Sequence, residues 1–181
     1  MPTLKDRKPA AAGSRSFFPM KIFLTLLTVI IALTTWWGTR MIVSIVPENG
    51  RAPITFTVKP GDTWNIAFTH SVEKTPWEEF FRVNGIDDMT MTHTRFESFG
   101  WGFPYSSGDG RLSHTDDGKF ILEMNRPYKM VNMRISEQAM QHIIHENDDY
   151  DLVAMYGQGA ALKIKVQYRY QFWLEHYFNF I

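Results

Sequence analysis

The chain changes its hydrophobic rhythm once, early, and keeps the new one almost to its end. From Ile22 it reads IFLTLLTVIIALTTWW, sixteen residues without a charge, and counted back through Lys21 and FFPM to Phe17 the run covers 21 residues. A helix of that length rises roughly 30 Å, about the thickness of a bilayer's hydrocarbon core. Lys21 sits near the edge of the run, where its methylene stem reaches outward. Trp36 and Trp37 stand where an interfacial aromatic belt belongs.

Past residue 53 the period shortens to two. In ITFTVKPGD, Ile54, Phe56 and Val58 alternate with threonines and end at a Pro-Gly turn; in WNIAFTH, Trp64, Ile66, Phe68 and His70 share one face. In EFFRVNG, Glu79, Phe81 and Val83 share a face, and Asn84-Gly85 marks a turn. MTMTHTRF has the Thr-rich alternation of a half-solvated strand, and TDDGKFIL carries an Asp117-Gly118 hairpin signal. The clearest alternation sets Leu162, Ile164, Val166, Tyr168 and Tyr170 against Lys163, Lys165, Gln167, Arg169 and Gln171. Residues 136–146, SEQAMQHIIHE, read two ways. Ala139, Met140, Ile143 and Ile144 have helical spacing after a Ser-Glu start, while QHII before HENDD and YDLVAMY reads as a hairpin. The pattern predicts a mostly β domain of about 7–9 strands, a small sandwich or partly closed barrel, preceded by one transmembrane helix.

Charge gives the apolar segment a direction. Residues 1–21 hold five basic residues against Asp6 alone, a net of +4, so the rest of the formally neutral chain carries −4. That excess of Lys and Arg predicts a cytoplasmic N-terminus and a domain on the far side of the membrane. The bulky, basic TTWWGTRMIV that follows lacks the small-x-small pattern of a cleavage site, which favours an uncleaved anchor. Five segments result: residues 1–16 as a basic cytoplasmic tail, 17–38 as a signal anchor, 39–53 as a tether, 54–171 as the extracytoplasmic β domain, and 172–181 as an aromatic tail. The acidic body offers no footprint for nucleic acid. The absence of cysteine excludes disulfides, thiolate metal sites and thiol catalysis.

Candidate chemistry gathers in two places. FTHSVEKTPWEEFFRVNG contains His70, Ser71, Glu73, Pro76 and Glu79. His-x-x-Glu supplies two metal ligands on a helix, where positions i and i+3 face the same way, but not on a strand. The alternative is a corner, with His70 hydrogen-bonding across a turn shaped by Thr75-Pro76. Ser71 beside His70 is not a catalytic pair, and no G-x-S-x-G elbow is present. The second place is ESFGWGFPYSSGDG, where Gly100 and Gly102 flank Trp101 and Pro104 closes the run. It is not a nucleotide fingerprint. Its glycines suit tight backbone turns, and its aromatics, Phe99 among them, suit a contact loop. Glu146, Asp148, Asp149 and Asp151 lack the spacing of a calcium loop. The aromatic tail is too short and polar to cross a membrane, leaving packing, an interfacial position or partner binding.

HSVEKTPWEEFFRV and TRFESFGWGFP together resemble the bacterial family called domain of unknown function 1850, over roughly residues 54–170. The family's His-Ser-Val falls on His70, Ser71 and Val72, its Pro on Pro76 and its acidic residue on Glu79. Its second run falls on Ser98, Phe99, Gly100, Gly102, Phe103 and Pro104, and Trp101 fills a gap that is usually small. Members are associated with TAXI-type TRAP transporters, which import organic solutes on an ion gradient. The resemblance therefore implies an accessory protein at the bacterial inner membrane, single-pass, with a periplasmic domain meeting the transporter's membrane subunits or its solute-binding protein. It implies no cofactor, metal or catalytic residue. Two alternatives remain. One is a solute- or metal-binding module between the 70–79 corner and the 98–104 loop. The other is a small hydrolase in which His70, Glu73, Glu79 or His93 would converge with a nucleophile.

Overall fold

The computed structural model describes residues 18–98 and 110–178. It divides into two compact units, residues 1–37 and 38–181. Helix α1 (Phe18–Gly38) carries the apolar run. Within it, Met20–Gly38, 19 residues of mean hydropathy 1.7, is long and apolar enough to cross a membrane. Three of its hydroxyls bond back into the helix: Thr25 Oγ1 donates to the Lys21 carbonyl at 3.0 Å, Thr28 Oγ1 to the Thr25 carbonyl at 2.8 Å and Thr34 Oγ1 to the Ile30 carbonyl at 2.9 Å. Hydroxyls bonded back into their own helix do not burden an apolar surround.

The second unit is built from strands β1 (Met41–Pro47), β2 (Ile54–Thr57), β3 (Thr63–Thr69), β4 (Pro76–Gly85), β5 (Asp88–Phe96), β6 (Arg111–His114), β7 (Phe120–Tyr128), β8 (Val131–Arg134), β9 (His142–His145), β10 (Asp148–Asp151) and β11 (Ala161–Tyr168), with helices α2 (Leu152–Tyr156) and α3 (Arg169–Tyr177). They form two open antiparallel sheets, β2-β1-β11-β8 and β10-β9-β3-β4-β5-β7-β6. One core lies between them. Val43, Ile45, Phe56, Leu162, Ile164 and Val166 of the smaller sheet pack with Trp64, Ile66, Phe81, Val83, Met91 and Ile143 of the larger. Alternation sends every second side chain inward, so both sheets contribute one apolar face to that layer. Trp64 and Phe81, cross-strand partners, stack at 4.6 Å in its centre.

Several expectations are refined here. Among the described residues there are eleven strands rather than seven to nine, because β6, β8, β9 and β10 have only four residues each and are too short to show a period. The stretch expected to be a tether contains β1, an inner strand paired along its whole length with β11. Residues 142–151 form the hairpin of the two readings, with Glu146 turning at φ 55°. His142 and His145 consequently point to opposite faces. YDLVAMY divides between the end of β10 and α2, whose N-terminus Asp151 caps through Ala154 N–H at 3.0 Å. The last strand stops at Tyr168, where Gln171 Oε1 accepts the Tyr168 N–H at 2.9 Å and α3 begins. Gly110, just ahead of β6, has φ 149°, and a Cβ there would lie 1.9 Å from the Glu123 carbonyl oxygen. Only glycine lets the backbone approach β7 so closely.

Candidate functional site

The ends of β3 and β4 meet in the His70–Thr75 corner. His70 N–H donates to the Thr75 carbonyl and Lys74 N–H to the His70 carbonyl, both at 2.9 Å. Glu73 N–H donates to His70 Nδ1 at 3.3 Å. An accepting Nδ1 leaves the neutral ring's proton on Nε2. Lys74 takes φ 57°, which closes the turn. The corner reading of His70 thus describes its backbone and one ring nitrogen. Thr75 Oγ1 lies 3.4 Å from Ser98 Oγ, so the first residue of the second motif touches the first motif's turn. Phe99, Gly100, Trp101, Gly102 and Pro104 lie outside the described residues.

From this corner, β4 and its neighbours lay three cross-strand rows along the inner face of the larger sheet. The first is aromatic: Phe68, Trp77, Phe96 and Phe120 are in register, with ring spacings of 6.1, 5.0 and 5.7 Å. His70 extends it, its ring 5.6 Å from Trp77. The third holds the Trp64–Phe81 stack and buried Met91. Between two apolar rows lies Ile66–Glu79–Thr94–Leu122, with a carboxyl and a hydroxyl at its middle. Thr94 Oγ1 is buried without a hydrogen-bond partner among the described residues. Glu79 makes no hydrogen bond among the described residues. Burial pushes its carboxyl above the usual carboxylate range, and the Arg126 charge opposes this only in part.

Glu79 faces a cleft of about 610 Å³ at the open end of the two sheets. The larger sheet supplies Phe68, Trp77 and Tyr128; β8, the edge of the smaller sheet, supplies Asn132 and Met133; Gln141 closes the end, and His70 and Ser71 stand at the corner. Gln141 is already engaged, accepting from Ser136 N–H at 2.7 Å and donating to the Arg134 carbonyl at 3.0 Å. The turn ahead of it is fixed by Thr69 N–H donating to the Ala139 carbonyl at 2.7 Å. Apolar side chains line somewhat more of the cleft than polar ones, and the polar groups lie at its rim and on Glu79.

The structure thus gathers His70, Ser71 and Glu79 on one cleft, ties Ser98 to its rim, and leaves Glu73 in the turn. Pro76 lines a different depression, on the outer face, floored by the Glu78–Arg95 ion pair. Those two charges satisfy each other. His93 is also on the outer face, stacked on Phe80 at 4.2 Å. Burial and the Arg95 charge hold its imidazole below the usual histidine range. The sheet separates it from Glu79, so those two groups do not converge. No group of three or more metal-ligating side chains forms among the described residues. Sequence reading missed Trp77, Tyr128, Asn132, Met133 and Gln141. Trp77 alone carried a signal, being two residues from Glu79 in a period-two run.

Fold and site together describe a two-sheet β domain with a cleft of about 610 Å³ between its sheets and a half-buried carboxyl on its wall. Residues 64–152 match the model of the family described as Domain of unknown function (DUF1850), and through this segment the chain belongs to that family. The matched segment holds all of the larger sheet but Thr63, together with β8 and both walls of the cleft. No curated protein matches the chain. No solved structure matches it.

Proposed function

We propose that the chain is a membrane-tethered binding module whose inter-sheet cleft takes a small organic solute, with Glu79 as its polar anchor. The observation behind this reading is a carboxyl without a hydrogen-bond partner of its own among the described residues, facing about 610 Å³ of space between the sheets. Glu79 is half-buried and opens onto the cleft, so a carboxyl that no donor among the described residues engages is available there to a ligand. Burial favours its protonated form, which donates through O–H and accepts through the carbonyl. A hydroxyl or an amide on the solute, which both donates and accepts, meets both needs; a carbonyl or carboxylate meets only the first.

The setting we propose is the periplasmic face of the bacterial inner membrane, with the N-terminus in the cytoplasm. The net +4 ahead of α1 supports that orientation. In this setting the module is an accessory of a TAXI-type TRAP transporter, meeting its membrane subunits or its solute-binding protein. The resemblance of the 70–79 and 98–104 motifs supports that role.

Thermal-shift titration of the full chain in detergent, with a panel of organic acids, amides and polyols, tests the cleft. At least one class is expected to raise the Tm of the parent and not of Glu79→Leu, which keeps similar bulk but removes both the donor and the acceptor. Equal shifts in both would remove Glu79 from the site. Crosslinking and purification from the native membrane tests the setting, with transporter subunits expected to co-purify.

A further inference from the structure

Helix α3 has its apolar residues on two sides. Phe172, 5% exposed, is its anchor, and α3 packs on β1 and β11. It covers the face of the smaller sheet that looks away from the core, where Ile42, Ser44 and Gln167 are buried and Gln167 Nε2 donates to Ser44 Oγ at 2.7 Å. The opposite side carries Tyr170, Trp173, Leu174 and Tyr177, spaced i, i+3, i+4 and i+7, which is one helical stripe. These four are 43, 43, 45 and 58% exposed, and Phe178 behind them is 58% exposed. A helix covering a water-soluble domain puts polar residues there; a contiguous apolar stripe marks an interaction surface.

The chain's own course names what covers it. Arg169 N–H, at the start of α3, donates to the Arg40 carbonyl at 2.9 Å, and a Cβ on Gly38 would lie 3.4 Å from Tyr170 Cβ. Residues 38–40 directly follow Trp36 and Trp37, the end of the apolar run. Two or three residues span at most about 10 Å, so α3 begins within that reach of the point where the chain leaves the apolar segment. The residue types agree: tyrosine and tryptophan pair an apolar ring with a polar tip and concentrate where lipid meets water. The one acid of the helix, Glu175, is held by Lys165 Nζ at 2.8 Å. Nine residues rise only about 14 Å, so the helix lies along a bilayer surface rather than crossing it.

We infer that α3 is an interfacial helix: its Tyr170–Trp173–Leu174–Tyr177 stripe rests among the headgroups and first acyl methylenes of the membrane that α1 enters. The stripe gives the domain a second membrane contact and fixes which side of it faces the bilayer. This rests on reading α1 as a membrane span, and the test separates the two.

The chain has no cysteine, so single-cysteine variants of the full protein take one spin label each. Leu27→Cys reports on α1, Leu174→Cys and Tyr177→Cys on the stripe, and Asn125→Cys on exposed β7. After reconstitution into phosphatidylcholine–phosphatidylglycerol vesicles, collisions with oxygen are compared with those of a water-soluble nickel complex. The expected result is a several-fold higher oxygen-to-nickel ratio at 174 and 177 than at 125, and the highest ratio at 27. Ratios at 174 and 177 equal to that at 125, with 27 in lipid, would overturn the interfacial helix and leave the anchor intact. Labels at 174 and 177 immobilised and shielded from both agents would mean a protein partner or a second copy, and would overturn it too. Nickel access at 27 would remove the anchor itself.

Discussion

Glu79 is the residue on which the account turns, and its sign under pH is fixed by its surroundings. Burial raises the folded carboxyl above its ordinary value of 4.5, with Arg126 opposing. A raised acid stabilises the fold fully below that ordinary value, and the contribution is lost as pH rises through the folded pKa. Urea unfolding at a series of pH values should therefore show the parent losing stability relative to Glu79→Gln as pH climbs out of the acid range. A difference independent of pH would contradict the assignment. Glu79→Leu replaces a half-buried carboxyl that no donor among the described residues engages with an apolar side chain, and it should gain up to about 1 kcal/mol while losing solute binding. A residue whose removal stabilises the fold is held for another purpose. His93, depressed by burial, acts in the opposite sense: its contribution is lost as pH falls through its lowered folded pKa.

At the scale of elements, the sequence was legible wherever a period ran long enough. Glu79, Phe81 and Val83 share a face, as the alternation implied, and Asp117-Gly118 turns the β6–β7 hairpin with Gly118 at φ 84°. Elsewhere tertiary contacts decided. Asn84 does not sit in its turn: the positive φ falls on Asp87, at 49°, while the Asn84 amide donates to Asp88 Oδ1 at 3.0 Å and Thr90 Oγ1 at 2.8 Å. Helical spacing in residues 136–146 lost to pairing of β9 with β3, which no local pattern announces. Gln167, expected on a wet face, is buried because α3 folds over it. The corner was visible as a corner, but the cleft was not, because one side of it is closed by β8, over fifty residues away. Phe172 is what seats α3. Phe172→Ala should cost about 3–4 kcal/mol if the helix stays docked. Loss of amide protection confined to 169–177, with the two sheets unchanged, would show that α3 detaches instead.

At the scale of the molecule, a four-stranded sheet backs a seven-stranded one and leaves a solute-sized opening where the smaller sheet ends at β8. The anchored reading makes a prediction about sidedness. A reporter active only outside the cytoplasm should work when fused after residue 181, and stop working when Lys5, Arg7, Lys8 and Arg15 are changed to Glu. Activity unchanged by that reversal would mean the basic tail does not set the orientation. The central claim is that the cleft holds a solute through Glu79, and native mass spectrometry of the full chain, released from gently extracted membranes, tests it most directly. The parent is expected to retain a small organic molecule at one per chain, absent from both Glu79→Leu and Val131→Trp, which fills the cleft from its β8 wall. A solute retained equally by all three proteins, or a parent that retains none and whose melting no member of the solute panel shifts, would contradict it.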